Sequence, residues 1–326
     1  MRAIVITAPG DSSVLEERAI DPPRPGPNEV LVRVRASALN RADISQRRGS
    51  YPAPPGVPED IPGLEYSGEV EEVGERVTRW KAGDAVMGLV GGGAHAELVC
   101  THEREAMRMP VRLTFEEGAS IPEAFLTAYD AVFAQLGMQV GQRLLIHAAG
   151  SGVGTAAVQL AKRAGLRTVG TSRSSLKLEK AAELGLDHSV LASGEDWTDR
   201  VLEAFPEGVD AVLDLVGGSY LAGNMKVVAS RGRIMQVGLT GGRDAQIQLG
   251  TLMRKRIQLV GTVLRSRPFE EKVVLAEEFA ERVLPSFDEG SLTPVVHSVI
   301  SFSEIRRAHD LMESNDTFGK IVLTWT

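Results

Sequence analysis

Residues 149–154, which read Ala-Gly-Ser-Gly-Val-Gly, have the clearest chemical signature in the chain. Three apolar residues, 144–146, come directly before them, and small or apolar residues recur at helical spacing after them, from Ala156 to Ala164. We therefore predict a strand, a tight turn and a helix. The first turn of a helix carries free N–H groups and the positive end of the helix dipole, which together suit a pyrophosphate. The predicted pyrophosphate contacts are Ala149, Gly150, Ser151, Gly152, Val153 and Gly154.

The turn departs from the dinucleotide-binding fingerprint G-x-G-x-x-G. The three glycine positions fall on Ala149, Ser151 and Gly154, and only the last of them is glycine. Gly150 and Gly152 keep the backbone flexible, and the strand before and the helix after favour a dinucleotide site over an ordinary strand–helix junction. Ser151 is not a candidate hydrolase nucleophile, because a G-x-S-x-G elbow needs glycine at positions 149 and 153.

The next predicted strand, 167–172, ends at the position that distinguishes the two nicotinamide dinucleotides. NAD-specific folds place Asp or Glu there to bind the ribose hydroxyls. This chain has no acidic residue at the strand end, and Ser172, Arg173 and Lys177 instead offer a hydroxyl and two cations to a 2′-phosphate. We therefore predict NADPH as the cofactor. The alternative is that one of the two serines after Arg173 caps the next helix and that both cations are solvated, but this leaves the missing acid unexplained.

Composition narrows the function classes. The 326 residues are 43% hydrophobic and 24% charged, as in a globular protein large enough for two domains. A net charge of −7 without a basic block predicts no nucleic-acid or membrane partner. Cys100 is the single cysteine, which excludes an internal disulfide and a cysteine-based zinc site and favours a cytoplasmic setting. No apolar segment reaches membrane-spanning length, and we expect the first residues to form a strand rather than a signal peptide.

The elements that position these residues fall into two groups. Residues 1–122 are mostly β in character, and five prolines within 51–62 predict a stiff loop. A helix is predicted over 123–136, and from residue 123 to 265 strands and helices alternate, which predicts a parallel sheet with helices on both faces. The remaining residues, 266–326, are too few to fold alone, so we expect them to complete the first domain and to leave a cleft between the two. The predicted strands of the second domain are 143–149, 167–172, 188–191, 209–216, 232–238 and 257–263.

Several short motifs spread over the whole chain carry a family resemblance. They are residues 38–43, 62–68, 83–86 and 125–129, the glycine-rich turn, and residues 319–323. These motifs resemble the medium-chain dehydrogenase/reductase superfamily and, within it, the quinone oxidoreductase branch. A second set of residues is similar to the p53-inducible quinone reductases of that branch, namely 40–43, Tyr51, Ser151, 217–220 and 264–267.

The resemblance implies a fold and two domains. The fold is α/β, with a Rossmann doubly wound parallel sheet inserted into a mostly β, GroES-like catalytic domain. The catalytic domain would consist of residues 1–122 plus 266–326. The inserted NADPH-binding domain would consist of residues 123–265.

The zinc-dependent alcohol dehydrogenases of the same superfamily are the obvious alternative. They require a cysteine near position 43, a His-Glu pair near position 65 and a second cysteine in the nucleotide domain. This chain has Leu64 before Glu65 and no matching cysteine, and its six histidines show no ligand spacing. We therefore predict no metal site and metal-independent activity.

The resemblance also implies site residues. Further contacts to the nicotinamide cofactor are expected at Thr127, Gly238, Leu239, Val263, Leu264, Arg265 and Lys320. Three residues are catalytic candidates. Tyr51 would donate a hydrogen bond to the acceptor carbonyl, Asn40 would fix the proline-rich loop or the ribose, and Ser151 would contact the cofactor or the acceptor. Each has an alternative: Asn40 only caps a helix over 41–47, Ser151 only binds the pyrophosphate, and Tyr51 is an exposed loop aromatic.

The leading hypothesis is a zinc-free, NADPH-dependent quinone oxidoreductase, in which a hydride passes from nicotinamide C4 to a quinone. One alternative is an NADPH-dependent reductase of activated C=C bonds, such as enones, in the same cleft. Another is a nucleotide-binding redox sensor with weak turnover. The apolar segment 256–263 would leave an open sheet edge. Such edges pair across a two-fold axis in the superfamily, so we expect a homodimer or a dimer of dimers.

Overall fold

The computed structural model describes residues 1–192, 194 and 196–325. The chain folds into two compact units. We call them the host unit, Met1–Leu126 with Leu264–Thr326, and the inserted unit, Thr127–Val263. The boundaries predicted from the sequence, after 122 and after 265, lie a few residues from these, so that residues 123–126, 264 and 265 belong to the host unit instead.

Strands and helices are numbered here in chain order. The strands are β1 (Arg2–Ile6), β2 (Leu15–Ala19), β3 (Glu29–Ala38), β4 (Glu65–Val73), β5 (Ala85–Leu89), β6 (Leu98–His102), β7 (Ala106–Arg108), β8 (Arg143–Ile146), β9 (Arg167–Ser172), β10 (His188–Leu191), β11 (Val209–Asp214), β12 (Val228–Gln236), β13 (Gln258–Gly261), β14 (Val296–Ser301) and β15 (Lys320–Thr324). The α-helices are α1 (Arg41–Arg47), α2 (Phe115–Ala119), α3 (Pro122–Tyr129), α4 (Gly152–Arg163), α5 (Ser175–Glu183), α6 (Trp197–Ala204), α7 (Tyr220–Val227), α8 (Leu249–Lys255), α9 (Phe269–Arg282), α10 (Pro285–Glu289) and α11 (Ile305–Ser314). None of these described helices combines the length and the apolar character that a bilayer crossing requires.

The inserted unit is built on a six-stranded parallel sheet in the order β10-β9-β8-β11-β12-β13. Counted within the unit, this is the order 3-2-1-4-5-6 of doubly wound dinucleotide-binding sheets. The order reverses between β8 and β11, and ligands bind such sheets at the carboxyl ends of the strands beside that reversal. The predicted parallel sheet with alternating helices is therefore confirmed.

The central strands of this sheet are apolar because both of their faces are covered. Leu144, Leu145 and Ile146 of β8 and Val212 and Leu213 of β11 are all fully buried. Of these, Leu145 and Val212 pack with side chains from α6 and α7 into one core cluster. This core holds the carboxyl ends of β8, β9 and β11 in fixed places, and the functional loops begin there.

The host unit contains a seven-stranded sheet in the order β14-β15-β3-β4-β5-β7, with β6 paired to β3, and a separate β1-β2 hairpin. Val30, Val32 and Val34 of β3 alternate toward a core that includes Tyr66 and Val86. The strand β15 pairs antiparallel with β3. The C-terminal tail therefore completes the sheet that the N-terminal residues begin.

Three local features differ from the sequence-based expectations. A single helix was expected from residue 123 to 136, but α3 ends at Tyr129 and a π-helical turn follows at Asp130–Gln135. The first strand of the inserted sheet ends at Ile146 rather than at residue 149. The helix α2 was not anticipated, although Thr114 and Glu117 form a capping box before it, in which each side chain bonds the backbone N–H of the other.

Cys100, the single cysteine, lies half-buried in β6. Burial raises the pKa of its thiol to about 11, and the charges of Glu29 and Glu72 add to the rise. Because the thiolate is the reactive form, this side chain stays a protonated thiol near neutral pH.

The first testable prediction concerns β13, which lies at one edge of the inserted sheet and pairs with β12. Leu259 of β13 is 41% exposed, and Leu249 and Met253 of α8 are 64% and 74% exposed. Exposed apolar edges favour association with a second copy. We expect a homodimer, and we expect Leu259→Glu to shift it toward monomer. Light scattering at micromolar concentration measures this, with Val111→Glu in the host unit as the control for an exposed apolar residue. A monomeric unmodified protein would contradict the prediction.

Candidate functional site

The glycine-rich turn follows β8 directly, and its geometry is set by close packing. Ala148 adopts a left-handed conformation with φ of 50°. A Cβ atom on Gly154 would lie 2.3 Å from the carbonyl oxygen of Ala148. Only glycine fits there, because the first turn of α4 is pressed against the turn that precedes it. The one fingerprint glycine that the sequence keeps is therefore the one that the packing requires.

Ser151 occupies the N-cap position of α4. Its Oγ accepts a hydrogen bond from the Gly154 N–H at 3.0 Å. The hydroxyl proton of Ser151 remains available to donate, while the N–H groups of Gly152 and Val153 belong to the first helical turn, which has no partner within the helix. The cap explains how Ser151 shapes the turn. The expected contact of Ser151 with a cofactor or an acceptor stays a prediction.

Two further features of the inserted unit fit a dinucleotide. The hydroxyl oxygen of Thr127 is buried and has no hydrogen-bond partner in the described part of the chain. A Cβ atom on Gly238 would lie 2.5 Å from the carbonyl oxygen of Leu215, so the loop after β12 approaches the loop after β11 closely. Leu239 and Val263, the other predicted contacts of this unit, are about half exposed. A buried, unsatisfied hydroxyl is costly unless a ligand bonds it.

The end of β9 carries the residues predicted to read the 2′-phosphate. Ser172 Oγ accepts a hydrogen bond from the Ser174 N–H at 3.2 Å. Ser174 lies at the N-cap of α5 but makes no side-chain cap bond, so the alternative in which its hydroxyl caps the helix is wrong. Arg173 is exposed and Lys177 is half-buried. Burial raises the pKa of Tyr220 and the positive charge of Arg173 opposes this rise, which places Arg173 near that ring.

In the host unit, Asn40, Glu65 and Lys320 form one buried cluster. The Lys320 ammonium lies 2.7 Å from Glu65 Oε1 and donates to Asn40 Oδ1 at 2.5 Å and to the Leu39 carbonyl at 3.0 Å. The Asn40 amide donates to Glu65 Oε1 at 2.8 Å and to the Ala38 carbonyl at 3.2 Å. All three donors of Lys320 and both donors of Asn40 are thus used, which leaves the acceptor oxygen Asn40 Oδ1 with capacity for one more bond.

This cluster bears on the two roles expected for Asn40. Asn40 does stand at the N-cap of α1, and its backbone N–H donates to Asp43 Oδ2 at 2.7 Å. Its side chain faces Glu65 and Lys320 instead of capping the helix. Lys320 was predicted to contact the cofactor, and the structure commits its ammonium to three protein oxygens.

Tyr51 and Arg265 are paired within the host unit. The guanidinium carbon of Arg265 lies 5.0 Å from the centre of the Tyr51 ring, and its Nη1 donates to the Tyr51 carbonyl at 3.3 Å. Arg265 also donates to the Gly91 carbonyl at 2.6 Å and to Gln46 Oε1 at 2.7 Å. Tyr51 is therefore a half-buried, fixed side chain rather than an exposed loop aromatic. These bonds also explain why Arg265 and the buried Leu264 belong to the host unit.

Glu123 is a member of this cluster that the sequence reasoning missed. Its backbone N–H donates to Glu65 Oε2 at 2.8 Å. Burial and the charge of Glu65 raise the pKa of the Glu123 carboxyl to about 7, with Asp43 adding to the rise and Lys320 and Arg265 opposing it. In the sequence Glu123 is an acidic residue of a first helical turn, which is common at helix N-termini and gave no signal.

Comparisons with known proteins agree with this arrangement. An alcohol dehydrogenase GroES-like domain matches residues 26–111, and a zinc-binding dehydrogenase domain matches residues 152–281. The human synaptic vesicle membrane protein VAT-1 homolog is 32% identical over 99% of this chain and 86% of its own length. A quinone oxidoreductase of Pseudomonas aeruginosa is 33% identical over 99% of each chain. The chain belongs to the medium-chain dehydrogenase/reductase superfamily.

Solved structures of this superfamily confirm the predicted fold class. An NAD-dependent alcohol dehydrogenase is 33% identical over 100% of both chains, with a TM-score of 0.88. The quinone oxidoreductase of Escherichia coli, solved in complex with NADPH, is 26% identical over 99% of this chain and 100% of its own, with a TM-score of 0.90. The CurK enoyl reductase is 26% identical over 100% of this chain and 99% of its own, with a TM-score of 0.88.

The match to a zinc-binding dehydrogenase domain raises the question of a metal. The donor set of this chain does not fit zinc: no three His, Cys, Asp or Glu side chains converge on a common point within residues 1–192, 194 and 196–325. Glu65, which accepts a hydrogen bond from the predicted catalytic residue Asn40, instead pairs with the Lys320 ammonium at 2.7 Å. The Lys320 ammonium already neutralises that carboxylate.

The second prediction concerns the pH dependence of stability. Because the folded-state pKa of Glu123 is raised from 4.5 to about 7, the stability due to its neutral form is complete below about pH 4.5 and lost as the pH rises through about 7. Glu123→Gln keeps a neutral side chain at every pH. We expect its free energy of unfolding to rise relative to the unmodified protein by about 1–2 kcal/mol between roughly pH 5 and pH 8.

Chemical denaturation at a series of pH values measures this difference. Glu271→Gln, at an exposed glutamate of α9, is the control and should show no such trend. A constant difference between Glu123→Gln and the unmodified protein across this range would show that Glu123 titrates in its ordinary range.

Proposed function

We propose that this protein is an NADPH-dependent quinone oxidoreductase that works without a metal ion. The observation that carries the cofactor preference is the sequence at the end of β9, where residues 171–177 contain no Asp or Glu and the exposed Arg173 is followed by the half-buried Lys177. The acceptor class is supported by the Pseudomonas aeruginosa quinone oxidoreductase, which is 33% identical over 99% of each chain.

The residues of the inserted unit would bind the cofactor. When bound, NADPH supplies the hydride that reduces the acceptor. The N–H groups at the start of α4 and the free hydroxyl proton of Ser151 would bind the pyrophosphate. The buried hydroxyl of Thr127 would gain the hydrogen-bond partner that the described residues do not give it. Ser172, Arg173 and Lys177 would bind the 2′-phosphate by charge-assisted hydrogen bonds.

The residues of the host unit would bind and protonate the acceptor. Tyr51 would donate its phenolic proton in a hydrogen bond to the acceptor carbonyl, with its ring held by Arg265. A quinone that has received a hydride needs one proton to become a quinol. Because its pKa is raised to about 7, the Glu123 carboxyl would still carry its proton in a substantial fraction of molecules at neutral pH, so it would be a proton donor for the acceptor. The Asn40–Glu65–Lys320 cluster would keep Glu123 in place through the bond from its backbone N–H to Glu65.

A reductase of activated C=C bonds is the second candidate. The structural similarity of this chain to the CurK enoyl reductase, with a TM-score of 0.88, supports this acceptor class. Both reactions need a hydride, a proton and a water-poor site, so the residues above serve either. An acceptor screen with quinones and enones, which follows NADPH absorbance, separates the two. Turnover of neither class would overturn the proposed function.

The third prediction concerns Arg173 and Lys177. A charge-assisted hydrogen bond contributes roughly 1.5–3 kcal/mol, so Arg173→Ala or Lys177→Ala should weaken NADPH binding by about 10- to 100-fold, and by less if the side chain stays solvated. NADH affinity should hardly change, because NADH has no 2′-phosphate. Lys180→Ala, which removes an exposed cation from the same helix α5, is the matched control.

Titration of each variant with both cofactors measures this effect. Equal weakening of NADPH and NADH would mean that the residue shapes the fold rather than reading the phosphate. A preference of the unmodified protein for NADH, the cofactor class named for the aligned alcohol dehydrogenase, would overturn the interpretation of this strand end.

The fourth prediction concerns Tyr51. Tyr51→Phe removes one neutral hydrogen bond, typically worth roughly 0.5–1.5 kcal/mol, and should lower quinone turnover by about 2- to 10-fold. The affinity for NADPH should stay nearly constant, since the change lies at the acceptor. Steady-state kinetics with several quinones, together with an equilibrium titration of NADPH, measure both quantities. Kinetics equal to those of the unmodified protein with every quinone would exclude a contact between Tyr51 and the acceptor.

A further inference from the structure

A chain of four polar side chains crosses the carboxyl ends of three adjacent strands of the inserted sheet. Thr171 Oγ1, at the end of β9, lies 2.7 Å from His147 Nδ1, which directly follows β8. His147 Nε2 lies 2.7 Å from Asn224 Oδ1 of α7, and Asn224 Nδ2 donates to Asp214 Oδ2 of β11 at 2.8 Å. Each of the four residues is 1% exposed or less. We call this set the switch-point relay, because the strand order reverses between β8 and β11.

The relay has a fixed direction. A carboxylate only accepts hydrogen bonds, so Asp214 requires the Asn224 NH₂ group to face it. The carbonyl oxygen of Asn224 then faces His147 and requires the proton of the imidazole on Nε2. His147 Nδ1 is left as an acceptor, and the Thr171 hydroxyl must donate to it. One buried negative charge thus sets the tautomer of an imidazole two residues away along the relay.

The surroundings of His147 keep it neutral. The rings of Trp197 and Tyr220 meet the imidazole edge-on, with centroid distances of 5.0 and 4.8 Å. Burial lowers the pKa of His147, and the nearby charge of Asp214 acts in the opposite direction. A protonated imidazole would carry hydrogen on both nitrogens and would break the bond that Thr171 donates.

The backbone around the relay belongs to the loops predicted to bind the cofactor. The Thr171 carbonyl accepts a bond from the Ala149 N–H of the glycine-rich turn at 3.0 Å. Asp214 Oδ1 accepts from the N–H groups of Val216 and Gly217 at 2.7 and 2.8 Å. The Asp214 carbonyl accepts from the Gly238 N–H at 3.2 Å. The relay therefore joins the loops after β8, β9, β11 and β12 into one hydrogen-bonded layer.

We propose that the switch-point relay is a positioning device for the cofactor: the neutral, Nε2-protonated His147 locks the Thr171 end of β9 to the Asp214 end of β11. This inference rests on the proposed NADPH-binding role of the inserted unit. With the relay intact, the end of β9 with Ser172, and the loop that begins at Arg173, keep their place relative to the glycine-rich turn. A break in the relay frees that loop and lowers the affinity for the cofactor.

The direction of the relay is tested by Asp214→Asn. The new amide must keep its oxygen toward the N–H groups of Val216 and Gly217 and so turns its NH₂ group toward Asn224. Asn224 then flips, and His147 must accept at Nε2 and carry its proton on Nδ1. We expect ¹⁵N NMR of histidine-labelled protein to show the Nε2–H tautomer in the unmodified chain and the Nδ1–H tautomer in the variant.

Asp210→Asn is the matched control for this tautomer measurement. Asp210 lies on the same strand β11, but it pairs with Arg143 and is not part of the relay. It should leave His147 in the Nε2–H form, and a His147→Gln variant assigns the signal. This readout needs no cofactor and no turnover, and a side chain that only fills space would not change tautomer. An unchanged tautomer in Asp214→Asn would overturn the relay.

The positioning role is tested by Thr171→Val, which keeps the shape of the side chain and removes the donor to His147. We expect the dissociation constant for NADPH to rise about tenfold, as for the loss of one buried hydrogen bond, and Thr171→Ser to restore it. Thermal unfolding of both variants checks that they are folded. Thr171→Val that binds NADPH like the unmodified protein would overturn the inference alone. An unmodified protein that binds neither NADPH nor NADH would instead overturn the proposed function, and the positioning role with it.

Discussion

The buried ion pair between Lys320 and Glu65 is the interaction on which the host unit depends. The pair joins the last strand of the chain to β4, and both side chains are almost completely removed from water. A buried charge without its partner costs about 3–5 kcal/mol, so neither residue tolerates the loss of the other. Asn40 accepts from one and donates to the other. The same carboxylate accepts from the backbone of Glu123, which sets the electrostatic environment of that residue.

The inserted unit also depends on a buried charge, which here is a single carboxylate and not an ion pair. Asp214 is fully buried and is compensated by backbone N–H groups and the Asn224 amide rather than by a cation. The N–H groups of Val216 and Gly217 belong to the loop after β11, and the Asn224 amide belongs to α7. Hydrogen bonding to a single buried carboxylate therefore shapes a whole edge of the unit, because every donor must arrive at a fixed place and angle.

Much of the fold could be predicted from the sequence, because both of its main signals are local. Buried parallel strands are short apolar runs in the sequence, such as residues 144–146. The strands of the host unit instead alternate between apolar and polar residues, as residues 29–36 do. The glycine-rich turn and the missing acid at the end of β9 are local signals as well. The short helices α2, α8 and α10 were not expected, since five to seven residues give too little periodicity to detect.

The site could be predicted only in part, because its chemistry depends on contacts between distant residues. Glu123 is unremarkable in the sequence, and its raised pKa exists only where β4 and β15 bring Glu65 and Lys320 beside it. The sequence around His147 shows no ligand spacing and does not point to the relay, since Thr171, Asn224 and Asp214 are remote in sequence. Arg265 and Lys320 were assigned to the cofactor by resemblance, and sequence alone does not show that their cationic groups bond within the host unit.

The place of β15 in the host sheet has a consequence for synthesis of the protein on the ribosome. The inserted unit is a continuous segment, Thr127–Val263, while the host unit needs residues from both ends of the chain. Until residues 320–324 emerge, residues 36–38 at the end of β3 lack their partner strand β15, and the Glu65 carboxylate lacks its cation. Since domains fold in the order in which they are made, the inserted unit completes its folding first. The nascent host strands therefore wait with an open edge, and a chaperone that covers β3 would protect them in that interval.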